Sequence, residues 1–222
     1  YRGWWQNIPS EYRKFITIDG KATTEYDFSQ LNPNMIYNRY NHELGSVDAY
    51  DRVLDGEHRK IVKQAFNAMM QAKKDIGKKP KKINLDEVGM SWKELKEAIL
   101  KAHKPIKDLF FTGLGNRLQF EDSQIAENVM LQFAKMDAPA LPVHDSFIMH
   151  HGFATYGELE EAMRRAYHDR FHSNIKVKGD IVVQVKPTKD SSLDDEQFFA
   201  DISVDGIINA DSEYSQWRDR DD

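Results

Sequence analysis

The run Leu141-Pro142-Val143-His144-Asp145-Ser146-Phe147-Ile148-Met149 wedges a polar trio between two apolar, β-prone segments. That pattern reads as a tight hairpin presenting a carboxylate at its turn. A second aspartate has a similar setting far upstream, in Thr24-Glu25-Tyr26-Asp27-Phe28-Ser29-Gln30. There, Phe15-Ile16-Thr17-Ile18 reads as a strand, Asp19-Gly20 as a tight turn and residues 23–28 as the returning strand, with Asp27 near its end. Two carboxylates on adjacent strands are what a two-metal phosphoryl-transfer site requires. Taken singly, each has a plainer reading. Asp145 can be a turn residue capping local amides, and Asp27 a cap for the helix that follows.

Helical signals fill the space between the two aspartates. Residues 31–40 carry apolar side chains at helical spacing, with Pro33 suited to a first turn. Residues 57–74 predict a helix with one apolar stripe: Ile61, Val62, Ala65, Phe66, Met69 and Met70. Arg59 and Lys63, four apart, project from one face of it. The lysine-rich residues 73–82 read as a loop, and Ser91 with Glu94 as a capping box opening a helix to about residue 104. A connector at 110–115, helices over 123–136 and 158–171, and a strand within 176–185 centred on Ile181 to Val185 complete the pattern. Clustered strands around a helical insertion predict an α+β fold with an antiparallel sheet.

At 222 residues the chain is long enough for one sizeable domain or two small ones. No apolar run is long enough to cross a membrane, and no signal peptide is visible. Cysteine is absent, which excludes disulfides and thiolate zinc sites and fits a reducing cytosol. Net charge is −5, but it is unevenly spread. Residues 190–222 hold 11 acidic and 2 basic side chains, a net of −9, which leaves the body at +4. A mildly basic body is compatible with a phosphate-binding surface. The acidic tail reads as a poorly patterned segment with no role, as a site for a protein partner, or as a phosphate mimic.

Phosphoryl transfer asks a protein for positioning and charge neutralisation. Asp27 and Asp145 are the candidates to hold two Mg²⁺ ions, or Mn²⁺. Arg59 and Lys63 suit the triphosphate of an incoming nucleotide, the arginine as a planar fork and the lysine as a point charge. A solvated basic face is the competing reading. The 73–82 loop can track template phosphates or be merely solvated. Trp4, Trp5 and Tyr12 can stack on bases, although packing explains them better. Arg117 and Gln119 are expected in a loop able to touch a duplex. His42, His103, His150 and His151 lack zinc spacing and read as structural or exposed.

Together these residues resemble the A-family nucleic-acid polymerases. Tyr26-Asp27-Phe28-Ser29-Gln30-Leu31 resembles the first palm motif, Arg59-x3-Lys63 the fingers-helix motif and Val143-His144-Asp145-Ser146 the second palm motif, all in the family's order. Arg2-Gly3-Trp4-Trp5-Gln6 and residues 140–148 are similar to the compact phage- or mobile-element-type members, relatives of the phage-type single-subunit RNA polymerases. The resemblance implies a palm in residues 1–47 and 106–188, fingers in 48–105 and an acidic tail in 189–222. Fewer than ~30 residues precede Asp27, so neither a thumb nor an exonuclease domain is evident ahead of the palm.

The activity so implied is a DNA-directed DNA polymerase taking primer-template DNA and dNTPs, in the cytoplasm of a bacterial or phage-infected cell. It puts Asp27 and Asp145 on the metals and His144 near the primer terminus. Phe28, Asn32 and Gln71 would join Arg59 and Lys63 at the substrate. Three positions depart from the DNA polymerase pattern. Asn32 stands where a glutamate usually screens the sugar 2′ position, Gln71 where a tyrosine is usual, and Ser146 where many DNA polymerases carry glutamate. An RNA polymerase or primase, a non-catalytic nucleic-acid-binding palm and a two-metal nuclease are the alternatives.

Overall fold

Asp19 and Gly20 both take positive φ, 54° and 76°, the left-handed pair that matches a two-residue turn to strand twist. They join β1 (Thr17–Ile18) to β2 (Lys21–Phe28), with Ile18 opposite Lys21. A second hairpin joins β3 (Leu141–Val143) to β4 (Ser146–His150), with Val143 opposite Ser146, so His144 and Asp145 form its two-residue turn. The computed structural model describes residues 3–155 and 157–180. Within it the two hairpins share one antiparallel sheet because β2 pairs with β4. The last described strand, β5 (Val177–Asp180), pairs antiparallel with the end of β2. The expected strand core at 181–185 and the acidic tail lie outside the described residues.

The helices are α1 (Trp4–Asn7), α2 (Ser10–Arg13), α3 (Leu31–Arg39), α4 (Arg59–Gln71), α5 (Trp92–Ala102), α6 (Gly115–Ala134), α7 (His151–Thr155) and α8 (Glu158–Phe171). Mixed helix and antiparallel sheet agree with the α+β expectation. The apolar stripe of α4 is buried at all six positions named from its spacing. Its last carbonyls are served by the connector that follows α5. Phe111 N donates to Met69 O at 2.9 Å and Gly113 N to Ala72 O at 2.8 Å, which satisfies a helix end that would otherwise need water. The capping box of α5 is present: Ser91 N donates to Glu94 Oε2 at 2.8 Å and Glu94 N to Ser91 Oγ at 3.3 Å.

One helix start differs from expectation. α6 begins at Gly115 rather than Ser123, which makes Arg117 and Gln119 helical. Ser123 resembles a cap in sequence, but its hydroxyl donates back to Phe120 O at 2.7 Å inside the helix. Gly115 starts the helix where a Cβ would lie 2.7 Å from Gln71 Cγ and 3.2 Å from its Cα, so this close approach needs glycine.

The described residues divide into two compact units, one comprising 3–29, 125–155, 157–170 and 174–180, the other 30–124 with 171–173. In the first, Phe28 packs against Phe147 and Tyr167 with ring centroids 6.5 and 6.3 Å away, and Phe133 packs on Phe153 at 5.4 Å. A smaller cluster of Ile16, Val143 and Ile148 is covered by Trp5, Ile8 and Leu141. Trp5 Nε1 and Gln6 Nε2 both donate to Pro142 O, at 3.1 and 2.8 Å, so Trp5 is a packing residue while Trp4 and Tyr12 remain exposed. In the second unit, Phe66 lies 5.6, 5.0 and 5.2 Å from the rings of Tyr50, His103 and Phe110. His103 is fully buried there, and its Nδ1 pairs with the Tyr37 hydroxyl at 3.0 Å. Among the described residues no helix is long and apolar enough to cross a membrane.

Candidate active site

Strand alternation fixes which side chains of β2 share a face. Glu25 and Asp27 lie on one side, Tyr26 and Phe28 on the other. The register with β4 puts Asp27 opposite Ser146, and the ladder continues with Phe28 N donating to Asp145 O at 2.9 Å. The two sequence-nominated aspartates are thereby brought to adjoining strand ends. On its other edge, Asp27 is opposite Lys178 of β5.

Asp27 and Asp145 line a common cleft of about 420 Å³. Glu25 is a third carboxylate on its wall, and Arg13 and Lys178 supply two cations. His144 sits exposed at the turn with φ 52°, an unfavourable conformation for a non-glycine residue, which the two-residue connection imposes. Glu25 Oε1 accepts from Arg13 Nη1 and from Ser146 Oγ, each at 2.5 Å. Asp27 is exposed and Asp145 half-buried, so both are within reach of solvent and ligand.

The carboxylates of this cleft, Glu25, Asp27 and Asp145, offer oxygen donors that suit a hard divalent ion, with the His144 imidazole beside them on the wall. Among the described residues no group of three or more His, Asp or Glu side chains converges as a metal cage. A Mg²⁺ site does not require one. That ion keeps several waters and is commonly held by one or two carboxylates together with substrate phosphates. The two aspartates fit that mode.

The cationic candidates belong to the second unit. Arg59 and Lys63 are exposed on α4. Arg59 Nη2 lies 2.6 Å from Asp48 Oδ2, its Nε 3.5 Å from Asp51 Oδ1, and its guanidinium 5.2 Å from the Tyr50 ring centroid. Lys63 Nζ is 6.0 Å from the same ring. Burial works to raise the Asp48 carboxyl. The Arg59 hydrogen bond and the Tyr50 amide outweigh it and hold that carboxyl below its usual range. The same Asp48 hydrogen bond raises Arg59 further. Asn32 and Gln71 also meet in this unit, on one small cavity of about 50 Å³ walled by Phe66 and Met70.

Phe28 requires a correction. Expected among the substrate contacts, it is 1% exposed and forms core with Phe147 and Tyr167, because the alternation that points Asp27 outward points its neighbour inward. Sequence reasoning also missed Glu25, Arg13 and Lys178. Glu25 was within reach, since it lies two residues from Asp27 on a predicted strand. Arg13 and Lys178 enter the cleft only through pairing that no local pattern encodes. No protein-family model matches the chain, and no curated protein matches it.

Proposed function

We propose that the chain is a template-directed nucleotidyltransferase of the A-family type, extending a DNA primer with dNTPs on a DNA template. The observation that carries this reading is the β2–β4 register, which sets Asp27 beside the Asp145 turn on one open cleft. In this reading the sheet of the first unit is the palm and α4 belongs to the fingers.

Asp27 and Asp145 are the residues that would hold Mg²⁺ or Mn²⁺. Bound there, the ions supply activation of a primer 3′ oxygen and neutralisation of the departing pyrophosphate. The protein's own part is positional. The strand ladder holds both carboxylates in place ahead of the ligand, which lowers the cost of organising the site. Arg59 and Lys63 bind the triphosphate once Asp48 releases the arginine. His144, exposed at the turn, is suited to the primer terminus, and the Asn32–Gln71 cavity to the sugar of the nucleotide. The +4 charge of the body favours primer-template DNA as the partner.

Two observations favour RNA synthesis as the second reading. Ser146 takes the place of a glutamate, and its hydroxyl is engaged by Glu25. Asn32, short and uncharged, leaves room in its cavity that a glutamate would fill. Primer extension with dNTPs or rNTPs on DNA and RNA templates, with and without Mg²⁺, decides between them. Extension with dNTPs that stops on chelation supports the first reading, and rNTP incorporation at equal or better rate supports the second. Strand degradation without nucleotides would show a nuclease instead.

A further inference from the structure

Glu25 has no role in the reading above, yet it joins three parts of the cleft. It lies on β2 on the same face as Asp27. Its Oε1 takes one donor from Arg13 of α2 and another from Ser146, the first residue of β4. Ser146 is 4% exposed and directly follows Asp145. A second acceptor, Val143 O, lies 2.9 Å from the same hydroxyl. A serine has one proton to give, so the two acceptors compete for it. Given to Val143, the proton ties the turn to its own hairpin. Given to Glu25, it ties the turn across to the strand that carries Asp27. Arg13, donating to the same Oε1, holds that oxygen facing Ser146 and so favours the cross-strand bond.

We infer that Glu25 is a positioning residue which, held by Arg13, fixes through Ser146 the placement of the Asp145 turn against Asp27. This inference rests on the proposed reading of Asp27 and Asp145 as metal ligands. It adds that their spacing is set by a side-chain brace as well as by the backbone ladder. The opposing account makes Arg13–Glu25 a fastening for α2 with no bearing on the aspartates.

The experiment is a Mn²⁺ titration of the full chain followed by paramagnetic resonance, without nucleotide or DNA, alongside the Mg²⁺ dependence of primer extension. Groups that orient metal ligands typically contribute about 10- to 100-fold in metal affinity. Glu25→Ala and Ser146→Ala are expected to weaken Mn²⁺ binding by about tenfold and to raise half-saturating Mg²⁺ similarly, with the nucleotide KM unmoved. Glu25→Gln, which keeps an acceptor for Ser146, is expected to stay within about threefold of the parent chain. If Glu25→Ala lowers the melting temperature but leaves Mn²⁺ affinity intact, the brace is refuted. If that happens while Asp27→Asn abolishes Mn²⁺ binding, the metal-site reading survives alone. If the parent chain binds no Mn²⁺, or Asp27→Asn does not weaken it, both fall.

Discussion

The cleft of the first unit and the cationic face of α4 in the second hold their charges in opposite ways. Asp27 and Asp145 sit on short side chains whose origins are fixed by ladder bonds, such as Phe28 N to Asp145 O at 2.9 Å. Arg59 and Lys63 sit on long exposed side chains, and Arg59 is held by other side chains: Asp48, Asp51 and Tyr50. The first arrangement is built before any ligand arrives. The second must exchange one partner for another. Metal geometry tolerates little displacement, whereas a flexible polyphosphate can be met by side chains that move. The contrast therefore ranks the two regions by how much a single substitution should cost.

The largest effect belongs to the cleft. Asp27→Asn or Asp145→Asn is expected to lower primer extension on the order of 10³-fold, the scale at which a preorganised charge is lost from an active site. Circular dichroism and melting temperature should stay unchanged, because Asp27 is exposed and Asp145 sits in a turn. Retained extension in either variant would remove the two-metal assignment and with it the asymmetry between the regions.

Next comes a pH experiment that acts on the second unit. Burial drives the pKa of His103 down to about 4, opposed by the Ala49 backbone and reinforced by the Arg52 charge. In the unfolded chain a histidine titrates near 6.5. Between those values the unfolded state takes up a proton that the folded state refuses. Stability is then complete above about pH 6.5 and declines as the pH falls towards 4. The full loss is on the order of 3 kcal/mol. Urea denaturation followed by the fluorescence of buried Trp92 in this unit measures it. His103→Gln, which cannot gain a proton, should remove the slope. A slope that persists in that variant would assign the pH effect to other groups.

Local chemistry was what the sequence made legible. The Asp19-Gly20 turn, the α4 stripe and the Ser91–Glu94 box each depend on residues within a few positions of one another, and each is present. The α+β class followed from their order. Pairing across the chain was not legible. Nothing near Asp27 announces that Ser146 will stand opposite it, because register is decided by which faces are buried together. The two aspartates could be nominated by motif, but their adjacency is a product of tertiary structure. Arg13 and Lys178 were invisible for the same reason. Phe28 and the start of α6 are a different kind of miss. Strand alternation turns Phe28 inward where the motif put it at the substrate, and α6 opens at Gly115, ahead of the expected start at Ser123.

Lys63→Ala tests the exchangeable side directly. It is expected to raise the nucleotide KM about tenfold and to slow incorporation, because a point charge on the triphosphate acts in both the ground and transition states. Steady-state kinetics at saturating primer-template read both changes. Unchanged kinetics would return the α4 face to a solvated surface.

The smallest effect is the one that separates a parked arginine from an oriented one. Asp48 is fixed by the Tyr50 amide, which donates to its Oδ1 at 2.9 Å, and it presents Oδ2 to Arg59. Asp48→Asn keeps an oxygen for that amide but withdraws the charge that competes with a triphosphate. An exposed ion pair of this kind contributes less than about 1 kcal/mol, so the nucleotide KM should fall by about fivefold or less. The difference should shrink further as salt screens the pair. A rise in KM would mean that Asp48 aims Arg59 at the ligand rather than withholding it. The cationic face would then be preorganised in the same sense as the cleft, and the distinction between the two regions would be one of charge sign alone.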